Sequence, residues 1–228
     1  MDSREPIIRM FNVSKRFGKH YALKNITMEV TAGEFILVTG ASGAGKSTLM
    51  QLLYLAQRVS KGQIIVDGMN LARIPGGKVP YLRRRFGVIF QDFKLIPNRT
   101  VYENVALVLE AAGEKSAFIR EKVIQVLKTT GMDGRLKSFP PALSGGEQQR
   151  VAVSRALVGD PAIILADEPT GSLDAESAQA VLDCLMGYHK KGATIFIASH
   201  NMQLISRAVR SRSIALERGE LKGTAKLL

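Results

Sequence analysis

The chain has 228 residues, 32 Lys plus Arg against 20 Asp plus Glu, a formal net charge of +12 and one cysteine. At 46% hydrophobic and 23% charged it is neither disordered nor fibrous, and a lone Cys184 excludes an intrachain disulfide scaffold or a Cys-rich zinc site. The charge asks for an anionic partner: nucleic acid, an acidic membrane surface or a phosphorylated ligand.

That charge is uneven. Residues 61–160 carry 16 basic and 9 acidic side chains, whereas residues 161–200 carry 2 and 5. The start has no apolar h-region, so no secretory signal is expected. No apolar run approaches the ~18 residues of a membrane span, so any membrane association is expected to be peripheral or through a partner. A reducing, cytosolic setting is expected.

In chain order, strands are predicted at 7–13 and 26–30 with a turn near Gly18, and at 34–39, ending at Gly40. A helix follows at 47–57, then strands at 63–66, closed by the turn signal Asp67-Gly68, and at 86–90. Two helices fill 101–130 with a break at Ala112-Gly113, and another spans 145 to about 158. Strands at 162–166, 193–199 and 213–216 alternate with helices at 175–188 and 202–208. This is the pattern of an α/β fold with a mainly parallel sheet. The helical block reads as an inserted subdomain at about 92–158, between core segments 1–91 and 159–228.

Three motifs carry chemistry. Gly40-Ala41-Ser42-Gly43-Ala44-Gly45-Lys46-Ser47 fits G-x-x-x-x-G-K-[ST] between a predicted strand and a predicted helix, with Thr48 next in that helix. Such a loop closes backbone N–H groups around phosphates, and the helix N-terminus adds its positive dipole end. Lys46 would reach the β- and γ-phosphates and Ser47 would offer its hydroxyl to Mg²⁺. Second, the apolar run Ile163-Ile164-Leu165-Ala166 ends in Asp167-Glu168. Strand alternation predicts that the two carboxylates point different ways, Asp167 to a metal and Glu168 to a water. Third, Leu143-Ser144-Gly145-Gly146-Glu147-Gln148-Gln149-Arg150 contains a capping box, Ser144 with Glu147. Capping does not call for two glycines. Bare N–H groups at Gly145 and Gly146 make a second anion site.

This last run resembles the signature motif of the ABC (ATP-binding cassette) ATPases, and the other two motifs match that family in order and spacing. Gln91 matches its Q-loop, Ser172-Leu173-Asp174 its D-loop and His200 its H-loop, so the likeness spans essentially the whole chain. It implies a P-loop NTPase fold with a RecA-like core, an antiparallel β subdomain and an inserted helical subdomain. It implies an ATPase that uses ATP and Mg²⁺. In an ATP-dependent homodimer, Ser144, Gly145, Gly146 and Glu147 would face the nucleotide held by the other subunit, and Asp174 would lie at the interface. Glu168, Gln91 and His200 become the catalytic set, and Ser47, Gln91 and Asp167 the Mg²⁺ contacts. Phe17 aligns with the aromatic that stacks on adenine, with Tyr21 as the alternative. Gly171 stands where many members have Ser.

The stretch from Pro80 to Leu95, followed by Arg99 to Ala106, resembles the cell-division branch of the family. Its members work with an FtsX-like integral membrane protein at the cytoplasmic face of the inner membrane. ATPases of lipoprotein-release or macrolide-type exporters are the alternative. A soluble ABC ATPase acting on nucleic acid is a lesser one: Lys46 and Ser144 are too close in sequence for a coiled coil and there is no CxxC, so nucleic acid is not expected. The basic excess then reads as attraction to an anionic membrane surface, with Arg83, Arg84 and Arg85 as its core. Phe93, Leu95 and Ile96 are either a docking groove for the membrane partner or core of the helical block.

Overall fold

The computed structural model describes residues 6–171, 173–199 and 211–226. Its strands are β1 (Pro6–Phe17), β2 (His20–Thr31), β3 (Phe35–Thr39), β4 (Lys61–Val66), β5 (Met69–Asn70), β6 (Phe86–Ile89), β7 (Ile163–Asp167), β8 (Thr194–Ala198), β9 (Arg212–Glu217) and β10 (Glu220–Lys226). Its helices are α1 (Lys46–Leu53), α2 (Val79–Arg83), α3 (Val101–Ala112), α4 (Ser116–Thr129), α5 (Gly145–Leu157) and α6 (Ala175–Lys190). Four antiparallel strands form one sheet, β2-β1-β4-β5, and six form the other, β10-β9-β3-β8-β7-β6. In the second sheet β6, β7, β8, β3 and β9 are parallel, and β10 returns antiparallel.

The central strands are unbroken apolar runs because both faces of a parallel sheet are covered. Their side chains divide strictly by the period of two. Phe35, Leu37, Ile164, Ala166, Ile195 and Ile197 join the core under α3, α4, α5 and α6. Ile36, Val38, Ile163, Leu165, Phe196 and Ala198 join the core shared with α1, β1, β2 and β4. Each fully buried Leu, Ile or Phe contributes about 1.5–3 kcal/mol, so a charge at Leu165 would disrupt the layer that positions Asp167.

Where the structure departs from the sequence reading, local causes are visible. β1 runs on to Phe17 through a bulge at Asn12 (φ 48°), whose N–H donates to Thr27 Oγ1 at 3.0 Å. α1 stops at Leu53 because Leu55 turns left-handed (φ 57°), and the Arg83 guanidinium caps the exposed carbonyls of Tyr54 (3.3 Å) and Leu55 (3.0 Å). Arg84 donates to Ala111 O at the end of α3 (3.1 Å), and Arg85 pairs with Asp67 in the β4–β5 turn. The three arginines are therefore structural ties from α2 and the residues just after it to α1, α3 and the antiparallel sheet. The short β5 and α2, and β10, were not foreseen. The helix expected at 202–208 lies outside the described residues, as do Ser172 and His200.

Candidate active site

Parallel strands bring their carboxyl ends to one edge, where ligands of such sheets bind. The register sets Ala198 beside both Val38 and Asp167, and Ala166 beside Ile89. The loops leaving these ends enclose a cavity of about 1240 Å³. Ser42, Gly43, Gly45, Lys46, Ser47 and Thr48 line it together with Gln91, Asp167 and Glu168.

The glycines of the phosphate loop are forced by their surroundings. Gly40 has φ 141°, and a Cβ there would meet Leu216 O at 2.2 Å; Gly45 has φ 107°, and its Cβ would meet Ala22 O at 2.6 Å. The backbones of β9 and β2 thus press directly on the loop, which only glycine permits. Ala44 is buried behind it, and its N–H donates to Ala41 O at 3.1 Å. No side chain caps α1, so the N–H groups at its start remain available to an anion. Lys46 is buried and its ammonium donates to the carbonyls of Gly40 (2.7 Å) and Ala41 (3.1 Å). The charge is held against the loop that an anion would enter.

The carboxylates do not alternate as a strand would have them. β7 ends at Asp167, and Glu168 adopts φ 48°, a left-handed conformation costly for a glutamate, with its N–H donating to Ala198 O at 2.8 Å. That turn brings both Asp167 and Glu168 to the same cavity. Gly171 lines it as well, and a Cβ there would touch Glu168 at an ordinary 3.6 Å, so the glycine has no steric cause.

The signature residues sit elsewhere. Ser144 caps α5: its hydroxyl accepts from the Glu147 N–H (3.2 Å), while the Glu147 carboxylate accepts from the Ser144 N–H (2.8 Å) and from Arg135 (3.2 Å). The Ser144 backbone bond chiefly, with the Arg135 guanidinium helping, holds the Glu147 carboxyl below its usual range against the opposing pull of desolvation. Asp174 caps α6 by accepting from the Ser177 N–H at 2.8 Å, which lowers its pKa likewise. Arg150 donates to Ser177 Oγ at 3.1 Å, and a Cβ on Gly146 would fall 2.5 Å from that same oxygen. Gly146 therefore has a packing reason, the close approach of α5 and α6. Gly145 faces open space. None of Ser144, Gly145, Gly146, Glu147 or Asp174 lines the cavity.

Phe17 also stands apart from the cavity, 46% exposed, with the Lys15 ammonium 4.7 Å over its ring. Arg16 approaches Tyr21 in the same manner at 6.0 Å. The sequence reading missed Gln51, Lys94 and Thr170, which line the cavity. It also missed Gln149, buried in α5, which donates to the carbonyl of Pro169 at 2.9 Å, directly after Glu168. Nothing in a Gln-Gln-Arg run says which side chain turns inward.

The model of the family described as ABC transporter matches residues 23–171. The chain belongs to the ABC transporter family. It is an ATPase of that type. It is 43% identical over 216 residues to the cell division ATP-binding protein FtsE of Streptococcus pneumoniae, covering 94% of each chain. Its identity to the Escherichia coli protein of the same name is 44% over 219 residues, 95% of this chain and 98% of that one. Among solved structures it resembles a dimeric ATP-binding cassette in a post-hydrolysis state bound to ADP and Pi, with a TM-score of 0.89 and 32% identity. That likeness covers 97% of this chain and 99% of the other. Among the described residues no helix is long and apolar enough to cross a membrane.

Proposed function

We propose that this ABC ATPase is the ATP-hydrolysing subunit of a membrane complex. It would work with an FtsX-like integral membrane protein in cell division, turning hydrolysis into regulation of cell-wall hydrolases. The observation that carries the ATPase chemistry is the single cavity joining Lys46, Ser47, Gln91, Asp167 and Glu168. The cell-division reading is supported by likeness over nearly the full length to proteins of that name.

In this reading the bare N–H groups of the phosphate loop and the Lys46 ammonium hold the β- and γ-phosphates. Glu168 orients or deprotonates the attacking water, and His200 steadies the γ-phosphate. Ser47, Gln91 and Asp167 present a hydroxyl, an amide and one carboxylate to the same space. That oxygen set suits Mg²⁺ shared with a phosphate group rather than a cation caged by protein alone. When bound, such an ion offsets charge building on the phosphate oxygens. Phe17, or Tyr21, supplies an aromatic face for adenine.

Ser144, Gly145, Gly146 and Glu147 serve the nucleotide of a second subunit in an ATP-dependent dimer, with Asp174 at the interface. The outward position of Gly145 supports this. The core comprises 1–91 and 159–228 and the helical subdomain about 92–158. The helical side, within the basic block 61–160, faces the partner and an anionic inner membrane face. The test is purification of the protein from its own membranes. Co-purification of an FtsX-like protein with ATP hydrolysis is expected. Recovery only in the soluble fraction, with that partner present, would sink the proposal.

A further inference from the structure

The loop after Gln91 has an unusual backbone. Phe93 (φ 58°) and Lys94 (φ 50°) are consecutive left-handed residues, neither of them glycine, a conformation that side chains with a Cβ resist. Something must hold it. Arg155, near the end of α5, donates to both of their carbonyls: Nη2 to Phe93 O at 2.7 Å and Nη1 to Lys94 O at 2.5 Å. A planar guanidinium grips two adjacent acceptors in a way an ammonium does not.

The grip carries a cost of its own. Desolvation pushes the Arg155 pKa down, yet guanidinium stays charged at any ordinary pH. Among the described residues no carboxylate pairs with it, so the two carbonyl dipoles are its compensation. The helix behind it is firmly seated. Gly87 of β6 lets α5 come so close that a Cβ there would lie 2.4 Å from Ala156 O. The gripped loop itself borders the cavity, through Gln91 and Lys94.

We infer that Arg155 is a positioning residue: it holds the loop after Gln91 in its left-handed turn, and fastens that loop to the helix whose first turn is Ser144, Gly145 and Gly146. Through Gln149 the same helix holds the carbonyl next to Glu168. A subunit whose α5 start meets a neighbour's ATP therefore registers that contact at its own Gln91 and Glu168. This rests on the proposed roles of Gln91 and of the signature turn.

The test uses the intact complex with its membrane partner, comparing wild type, Arg155→Met and Arg155→Lys. Arg155→Met should lower kcat by about tenfold to a hundredfold, the usual result of misplacing a catalytic group by an ångström. The ATP Kd measured without Mg²⁺ should stay within about twofold, because the phosphate loop is untouched, while the Mg²⁺ concentration for half-maximal hydrolysis rises. Arg155→Lys keeps charge and stem but loses the fork, and should show the same split with an unchanged Tm. It serves alone if Arg155→Met does not fold. Equal kcat in wild type and Arg155→Lys would overturn the inference. So would a kcat loss matched by parallel losses of nucleotide affinity and Tm. A wild-type complex that hydrolyses no ATP would refute the ATPase reading itself.

Discussion

The molecule contains two glycine-rich helix starts, at α1 and at α5, and they are built on opposite plans. At α1 the glycines are demanded by φ and by β9 and β2 pressing on the loop, no side chain caps the helix, and a buried lysine is folded over it. At α5 a complete capping box uses the N–H groups of Ser144 and Glu147, Gly146 is set by the approach of Ser177, and among the described residues nothing lies within 4 Å of where a Cβ on Gly145 would stand. The first is a phosphate loop built from its own chain's backbone and lysine. The second is an outward edge that, on the proposed reading, meets a neighbour's nucleotide. The same composition thus yields a floor in one place and a lid in the other.

The largest effects should appear on the α1 side. Glu168→Gln is expected to slow hydrolysis by about 10²–10⁴-fold, the worth of general-base catalysis, with ATP binding retained. Turnover near wild type in single-cycle kinetics would show that another group handles the water. Lys46→Ala removes a charged donor worth about 1.5–3 kcal/mol, so nucleotide affinity by calorimetry should fall about tenfold to a hundredfold. Unchanged affinity would erase the distinction between the two helix starts.

Paired glycine substitutions sharpen it. Gly146→Ala should destabilise by about 1–3 kcal/mol in denaturant unfolding, because the methyl must displace Ser177. Gly145→Ala enters open space and should stabilise α5 by up to about 1 kcal/mol while harming ATP hydrolysis. Equal effects of the two on stability would contradict the packing account. The smallest effect is a titration. The folded-state pKa of Glu147 is depressed, so the stability it contributes is present above its ordinary value of 4.5 and is lost as pH falls through the folded value. The Tm gap between wild type and Glu147→Gln should therefore close on acidification. A gap that widens below pH 4.5 would mean the capping carboxylate is not the cause.

The contrast explains what the sequence could and could not reveal. The strand runs at β3, β7 and β8 were legible because burial on both faces demands continuous apolar residues, and the phosphate loop because its spacing is chemically exacting. The end of α1 was not, since Leu55 carries no turn signal and its cap arrives from Arg83, far along the chain. The Glu168 turn defeated simple alternation because its left-handed φ is fixed by tertiary structure. Arg83, Arg84 and Arg85 read as the core of a membrane-facing basic excess, and the sequence did not show that each also has a partner within the fold. Net charge says nothing about such contacts.

The central claim is that the α5 start completes a neighbour's site. Gly145→Asp suits a direct test, because the new side chain meets open space and an acid favours a helix start, yet it would repel an incoming phosphate. Co-assembling Gly145→Asp subunits with Glu168→Gln subunits gives mixed dimers in which one composite site is intact and the other carries both defects. The account predicts that ATP hydrolysis, nearly absent in each variant alone, returns in the mixture. A mixture as inactive as its components would mean that α5 serves its own chain, and would contradict the account.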